Sequence, residues 1–507
     1  MNSSSTTNIG IFKRVMTAIL VLASIFEVAV FPGIDTVVGC VVTAVSTWLY
    51  FVYVLQIEVI RRRPVSFVAF TALFLFMYLP LPVTLLDGTS MSHDLFNPVW
   101  TYILQLLYYI IAIVAFNYGG RLCRRHRELS HIFARWGLFT PPSVAQIWAL
   151  GVIGWVFKFI ILTQQGMVGK GSVSMFAVFI YAPISILFKH LWGQAKPTRY
   201  EQGIIYGYII AVSLILIATN SRSQMLSPYV IYACGYLIEK IYERGERLWF
   251  SARKLFLAIV GFIIIAGPLS DLAYAMVIVR SIRNDVRFTE LLSKSFDTFQ
   301  DREAIDKARS ATNKHIGGTI GLEWHEKYVS NIFLDRLCNY RVVDASIMHA
   351  ERVGTPNEEM IEDFLARMQM VYPTPIMRFL YGDIDKTGYK YSSQDKLYAL
   401  SYSCSLSHCY RVGGDVGLGL AVFGYIYFIV VFIVYAIIFF IYDSLTYYSS
   451  GRVFVPFFVI MNIYFTYFLT FSVAGGMAKH ISFLIWGFWW TMLWHLVMYK
   501  IVRIIVS

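Results

Sequence analysis

Apolar runs of about 20 residues recur along this 507-residue chain from residue 14 onward. A helix of that length crosses a hydrocarbon layer of roughly 30 Å. In lipid the backbone must satisfy its own polar groups, so a chain with many such runs can fold only as a helical membrane protein. Composition agrees, with 57% hydrophobic and 15% charged residues against about 45–50% and about 25% in soluble domains. A water-soluble enzyme is excluded.

Hydropathy places twelve spans, near 14–32, 36–60, 66–86, 98–118, 144–164, 173–189, 203–219, 225–241, 255–279, 417–442, 453–475 and 481–501. A net charge of +12 would fit nucleic acid in a soluble chain, but here the basic residues flank the apolar runs and set topology. No nucleic-acid partner is expected. Lys13, Arg14, Arg61, Arg62, Arg63, Arg121, Arg124, Arg125, Arg127, Arg135, Lys196, Arg199, Arg244, Arg247, Arg253 and Lys254 all fall in one set of loops. The alternate loops carry little beyond Lys170, Arg222 and Lys479. Since Lys and Arg in short loops resist translocation, both termini are expected in the cytoplasm. The first apolar run has no small-residue cleavage pattern and reads as an uncleaved signal anchor.

Three regions follow: a membrane part over 1–279 with about nine spans, an extracytoplasmic insertion over 280–416, and a membrane part over 417–507 with about three. The insertion reads as helical. In NEEMIEDFLARMQM, acidic residues follow Pro356 and place Ile361, Phe364, Leu365 and Met368 at helical spacing. Cys338, Cys404 and Cys409 fall in this insertion, where one disulfide is permitted and its pairing is open.

Familiar chemistry is missing. Gly169-Lys170 lacks the earlier glycine of a phosphate-binding loop, and Ser251 to Lys254 matches SxxK by letters alone, in a basic inner loop. No G-x-S-x-G or HExxH occurs, and His315, His325, His349 and His408 lack metal-site spacing. No metal or other cofactor is expected. Within the spans, Glu27, Lys158 and Asp271 stand isolated.

What remain are ionisable residues at outer span edges, which count as functional candidates by default. Ser221 and Arg222 occupy a break so short that its two spans form a tight hairpin; the guanidinium would meet phosphate oxygens or snorkel to headgroups. Arg280 and Arg283 share a helix face and would aim at one anion, or the cluster would face lipid headgroups or form an ion pair with Asp285. The stretch SLSHCYRVGGDVGLG over 405–419 supplies His408, Arg411 and Asp415 before a span. Its glycines allow close backbone approach, and His408 would take a proton from a hydroxyl, hold an acceptor, or serve structure alone. His480 and Lys479 form a further outer-edge pair.

Together these residues resemble the O-antigen polymerase and O-antigen ligase group of polytopic glycosyltransferases. The resemblance rests on NSRSQML at 220–226, the large late loop over 280–416, and SHCYRVGGDVGLG at 407–419. It implies an all-α, GT-C-like fold and a metal-independent, inverting glycosyltransferase of the bacterial inner membrane. The donor would be an oligosaccharide on undecaprenyl pyrophosphate, moved onto a new lipid-linked repeat unit. Arg222 and Arg280, with Arg283, would stabilise the leaving pyrophosphate, and His408 would orient or deprotonate the acceptor. Ser221, Arg411, Asp415 and His480 would contact substrate. A chain-length regulator, a flippase and membrane lipids are the implied partners. The rival readings are a ligase acting on lipid A-core, a transporter for lipid-linked sugar, which would show internal repeats and broken helices near midplane, and a membrane acyltransferase with a histidine inside a span, where only His495 qualifies.

Overall fold

The computed structural model describes residues 3–163, 175–217, 222–243, 260, 267–268, 270–279, 288–311, 327–331, 334–372, 374–382, 389, 391–406, 409–449, 452–456, 459, 461 and 476–506. Apart from one hairpin, Tyr447–Ser449 against Arg452–Phe454, the regular structure among them is helical. Among the described residues, six helices are long and apolar enough to cross a membrane: Ile9–Val30, Ile34–Tyr53, Pro98–Arg125, Val144–Ile161, Asp415–Ser444 and Gly476–Ile505. The pair Pro64–Tyr78 and Pro80–Leu86, bent by 48°, makes a seventh if taken as one span. Pro80 causes that bend, because it lacks the N–H that would continue the ladder. Of the other expected spans, Met175–Leu191 is apolar but shorter. The helices Arg199–Ile217 and Arg222–Glu243 are not among the six, and 255–279 and 453–475 lie largely outside the described residues. The chain is a helical membrane protein.

The expected span over 417–442 returns within Asp415–Ser444, with one local interruption of its ladder. Its helix ends at Phe423, and Gly424 takes φ +57°, a conformation that favours glycine, before the helix resumes at Tyr427. An interrupted ladder leaves carbonyls that water would otherwise satisfy. Here Asn357 of the insertion donates its N–H to the Ala421 carbonyl at 2.8 Å.

At the far end of the same span lies a buried ion pair. Arg63 Nε donates to Asp443 Oδ2 at 2.5 Å and Arg63 Nη2 to the Phe116 carbonyl at 2.7 Å, while Ser66 Oγ donates to Asp443 Oδ1. The guanidinium stacks 3.8 Å from the Phe116 ring centre. Arg63 thus joins three helices rather than acting as a solvent-facing topology anchor. The isolated residues of the spans also have partners. Glu27 accepts from Ser90 Oγ and Met91 N, both at 2.8 Å; Lys158 donates to Gln224 Oε1; Asp271 pairs with Arg302 at 2.5 Å. Sequence spacing hides these pairings because the residues meet 31 to 66 positions apart.

The insertion is helical where it is described, with Phe288–Gln300, Arg302–Ala311, Tyr340–Val353, Glu358–Gln369, Thr374–Tyr381 and Ser393–Tyr402 as its longer helices. Tyr340–Val353 docks on the membrane part twice. Its Asp344 accepts from Phe96 N, Asn97 N and Thr101 Oγ1, meeting the free N–H groups and positive end of Pro98–Arg125. Its backbone also lies directly on Asp415–Phe423. A Cβ on Gly417 would come within 2.2 Å of the Ser346 carbonyl carbon, and one on Gly414 within 2.7 Å of Val343 Cα. The close approach expected of these glycines is therefore observed. All six cysteines are free, so the disulfide that the insertion would permit is not formed.

Candidate functional site

The segment leading into Asp415–Phe423 is held by one carboxylate. Ser392 and Asp395 form a capping box at the start of Ser393–Tyr402, which the Ser-x-x-Asp spacing signals. Asp395 also accepts from Tyr410 N at 2.8 Å, Arg411 N at 3.2 Å and Arg411 Nη1 at 2.9 Å. The Arg411 guanidinium lies 3.9 Å from the Tyr398 ring centre, and both members of the ion pair are buried. Arg411 is thus neutralised by Asp395, which the sequence reading did not select.

Asp415 and His480, 65 positions apart, meet. His480 Nε2 lies 3.2 Å from Asp415 Oδ2 and 3.3 Å from the Tyr435 hydroxyl, Tyr108 donates to Asp415 Oδ2 at 3.4 Å, and the two tyrosine hydroxyls bond each other. Asp415 Oδ1 accepts from Gly476 N at 2.9 Å. The carboxylate therefore ties the start of one candidate span to the start of another. That second helix carries Lys479, so Asp415 and His480 act as positioning residues for it.

Two cavities open beside this junction. One, of about 590 Å³, sets the cationic side chains of Arg367, Arg411 and Lys479 and the polar Ser392, Ser393 and Gln394 among apolar wall residues that include Met370, Val371 and Leu418; for those cationic and polar side chains it is the polar cavity of the two. Arg367 is paired with Asp363 at 2.7 Å as Arg411 is with Asp395. Lys479 is exposed and has no carboxylate within 4 Å among the described residues. The other cavity, of about 670 Å³, is mainly apolar, with Phe179, Phe483, Trp486, Trp494 and His495 on its walls and Lys158 and Gln224 as polar points. Val371 and Ser482 line both. Each volume is that of a small-molecule site, and together they would take a ligand with an anionic head and an apolar body.

The described residues bring Arg411, Asp415 and His480 to one junction. Arg222 begins the helix that carries Gln224, two positions from the wall of the apolar cavity. Ser221, Arg280, Arg283 and His408 lie outside the described residues. Arg367 and the second cavity escaped the sequence reading. Arg367 falls on the amphipathic helix Glu358–Gln369, where an Asp363–Arg367 spacing reads as an ordinary surface pair.

Beside the Arg411 pair, His349 Nδ1 lies 2.9 Å from Ser401 Oγ. Burial, then the nearby charges of Arg352, Arg411 and Arg341, push its pKa down to about 3. Such a histidine is a poor base at neutral pH, so the Ser401–His349 contact is structural. The unfolded chain takes up this proton near pH 6.5, whereas the folded insertion resists it until about pH 3, so folded stability is full above 6.5 and falls as pH drops from there. Protease resistance of the insertion is expected to decline between pH 6.5 and 4 with a slope of up to about 1.4 kcal/mol per pH unit. His349→Gln should flatten that decline, as pulse proteolysis across the range will read.

No family model, characterised protein or solved structure matches this chain.

Proposed function

We propose that the protein is a glycosyltransferase for lipid-linked oligosaccharide, an O-antigen or exopolysaccharide polymerase of the bacterial inner membrane with twelve spans and both termini in the cytoplasm. The observation that carries this reading is the junction of a cationic cavity with an apolar, tryptophan-walled one. A polyprenyl pyrophosphate has that division: its diphosphate would lie by Lys479 and its prenyl chain between Phe483, Trp486 and Trp494. Lys479 is the cation of the polar cavity that has no carboxylate within 4 Å among the described residues, and Arg222 and Arg280 would join it. The acceptor hydroxyl attacks the anomeric carbon, and the bond from that carbon to the phosphate oxygen breaks. The pyrophosphate leaves with the electron pair, which the cations stabilise, and the acceptor proton passes to a base, for which His408 is the candidate. Transfer from an already activated donor needs no nucleotide.

Lys479→Ala is expected to cut transfer between about 10- and 100-fold, the cost of one charge-assisted hydrogen bond, while Lys479→Arg retains most of it. Arg222→Ala and Arg280→Ala should leave single repeats at the cell surface and no long chains. Wild-type chain lengths in Lys479→Ala and Arg222→Ala cells would reject the proposal. Complete loss of surface glycan would indicate a ligase.

The interruption of the Asp415–Ser444 ladder at Gly424 favours a second reading, a carrier for lipid-linked sugar, because interrupted helices build transport sites. Purified protein in liposomes separates the two. Polymer made from lipid-linked repeats supports transfer, whereas repeats moved between leaflets without elongation support the carrier.

A further inference from the structure

The insertion does not stop at the ends of the spans. Its Asn357 reaches the Ala421 carbonyl, and Pro356 Cδ lies 3.3 Å from where a Cβ on Gly424 would be. Farther along, the Tyr372 ring meets Trp486 at 6.1 Å. Trp486 is ten residues beyond Gly476, about 15 Å along the helix axis. The 30-residue helix Gly476–Ile505 is about 45 Å long, so it exceeds a hydrocarbon core of roughly 30 Å by a similar amount. Trp486 therefore sits at or below the headgroup boundary, and residues 354–372 run down beside the spans to that depth.

The next element is Thr374–Tyr381. Met377 turns inward and is buried, while Phe379 is 89% exposed and Ile376, Leu380 and Tyr381 are exposed beside it. In water such a row of large apolar side chains is unfavourable. At the level of Trp486 it has a ready solvent. Met370 and Val371, just before this helix, line the polar cavity, and Val371 also lines the apolar one.

We propose that Thr374–Tyr381 is a half-inserted helix whose Ile376, Phe379, Leu380 and Tyr381 dip into the acyl chains of the leaflet next to the shared wall of the two cavities. Its partner is lipid, and the inference rests on the membrane reading of the spans, independent of any transfer chemistry. The helix would hold the insertion at a fixed height and give an incoming lipid an apolar edge to follow toward Val371.

Nitroxide depth measurement on the full chain tests this. Phe379→Cys and Leu380→Cys are introduced where Cys123, Cys404 and Cys409 have been changed to Ser, and the labelled protein is placed in phosphatidylcholine nanodiscs. The ratio of collisions with oxygen to collisions with a water-soluble nickel chelate should be several-fold higher at 379 and 380 than at an exposed control, Glu303→Cys. Equal ratios would overturn the proposal. The unsubstituted chain gives an independent reading: a phosphatidylcholine with a photoreactive acyl chain should label the peptide 374–381. Label confined to the spans would also overturn it.

Discussion

A Gly417→Val protein is expected not to accumulate in folded form. The added Cβ would sit 2.2 Å from the Ser346 carbonyl carbon and 2.5 Å from Ile347 N. Both are backbone atoms of a regular helix, so no rotamer change can relieve the overlap. Either Asp415–Phe423 lifts off Tyr340–Val353 or one of them unwinds, at a cost above the roughly 1–3 kcal/mol of ordinary overpacking. Lifting would also part Gly414 N from Ser346 Oγ, now 2.7 Å away. Gly203→Ala and Gly207→Ala supply the contrast, because nothing lies within 4 Å of a Cβ at either position. Both should match or slightly exceed the parent, as helical glycine gives way to alanine. Fluorescence-detected size exclusion of the three variants in mild detergent is the measurement. A monodisperse Gly417→Val peak at parental yield would show that the two helices are not in backbone contact.

Asp395→Ala is expected to be the second most damaging change, lowering the stability of the insertion by about 3–5 kcal/mol, the range for removing one partner of a buried ion pair. The Arg411 guanidinium would remain buried without its carboxylate, and the N–H groups of Ser392, Tyr410 and Arg411 would lose their acceptor. Asp395→Asn keeps an acceptor while removing the charge, so it should fall between parent and alanine. The midpoint at which the insertion loses protease resistance should drop by roughly 10 °C for alanine. Because Asp395 holds the segment that forms one wall of the polar cavity, the transfer proposed above should fall in step with that midpoint. Asparagine behaving as the parent would show that charge contributes nothing here.

Much of the architecture is legible because a membrane imposes one dominant rule on the chain. The apolar runs that predict crossings at 98–118 and 144–164 return as Pro98–Arg125 and Val144–Ile161. The amphipathic reading of Glu358–Gln369 holds at Phe364, whose ring meets Phe423 at 5.1 Å. It fails at Leu365, which is 53% exposed, because periodicity marks an apolar face without saying whether protein or lipid covers it. The site was legible as residue types but not as pairs. Asp415 and His480 each stood out at a span edge, yet only the packing of two distant helices makes them partners. Arg411 was expected to contact substrate, and the structure gives it Asp395, a residue chosen by capping geometry rather than by any feature of the motif around Arg411.

The sequence alone determined that this is a helical membrane chain with a large polar insertion, since transfer of apolar side chains from water depends on local composition and on little else. Tertiary structure decided which buried charges are satisfied, where the ladder is interrupted at Gly424, and how a cationic cavity comes to adjoin an apolar one. Those outcomes depend on contacts between residues tens to hundreds of positions apart, and their energies exist only once the helices have packed.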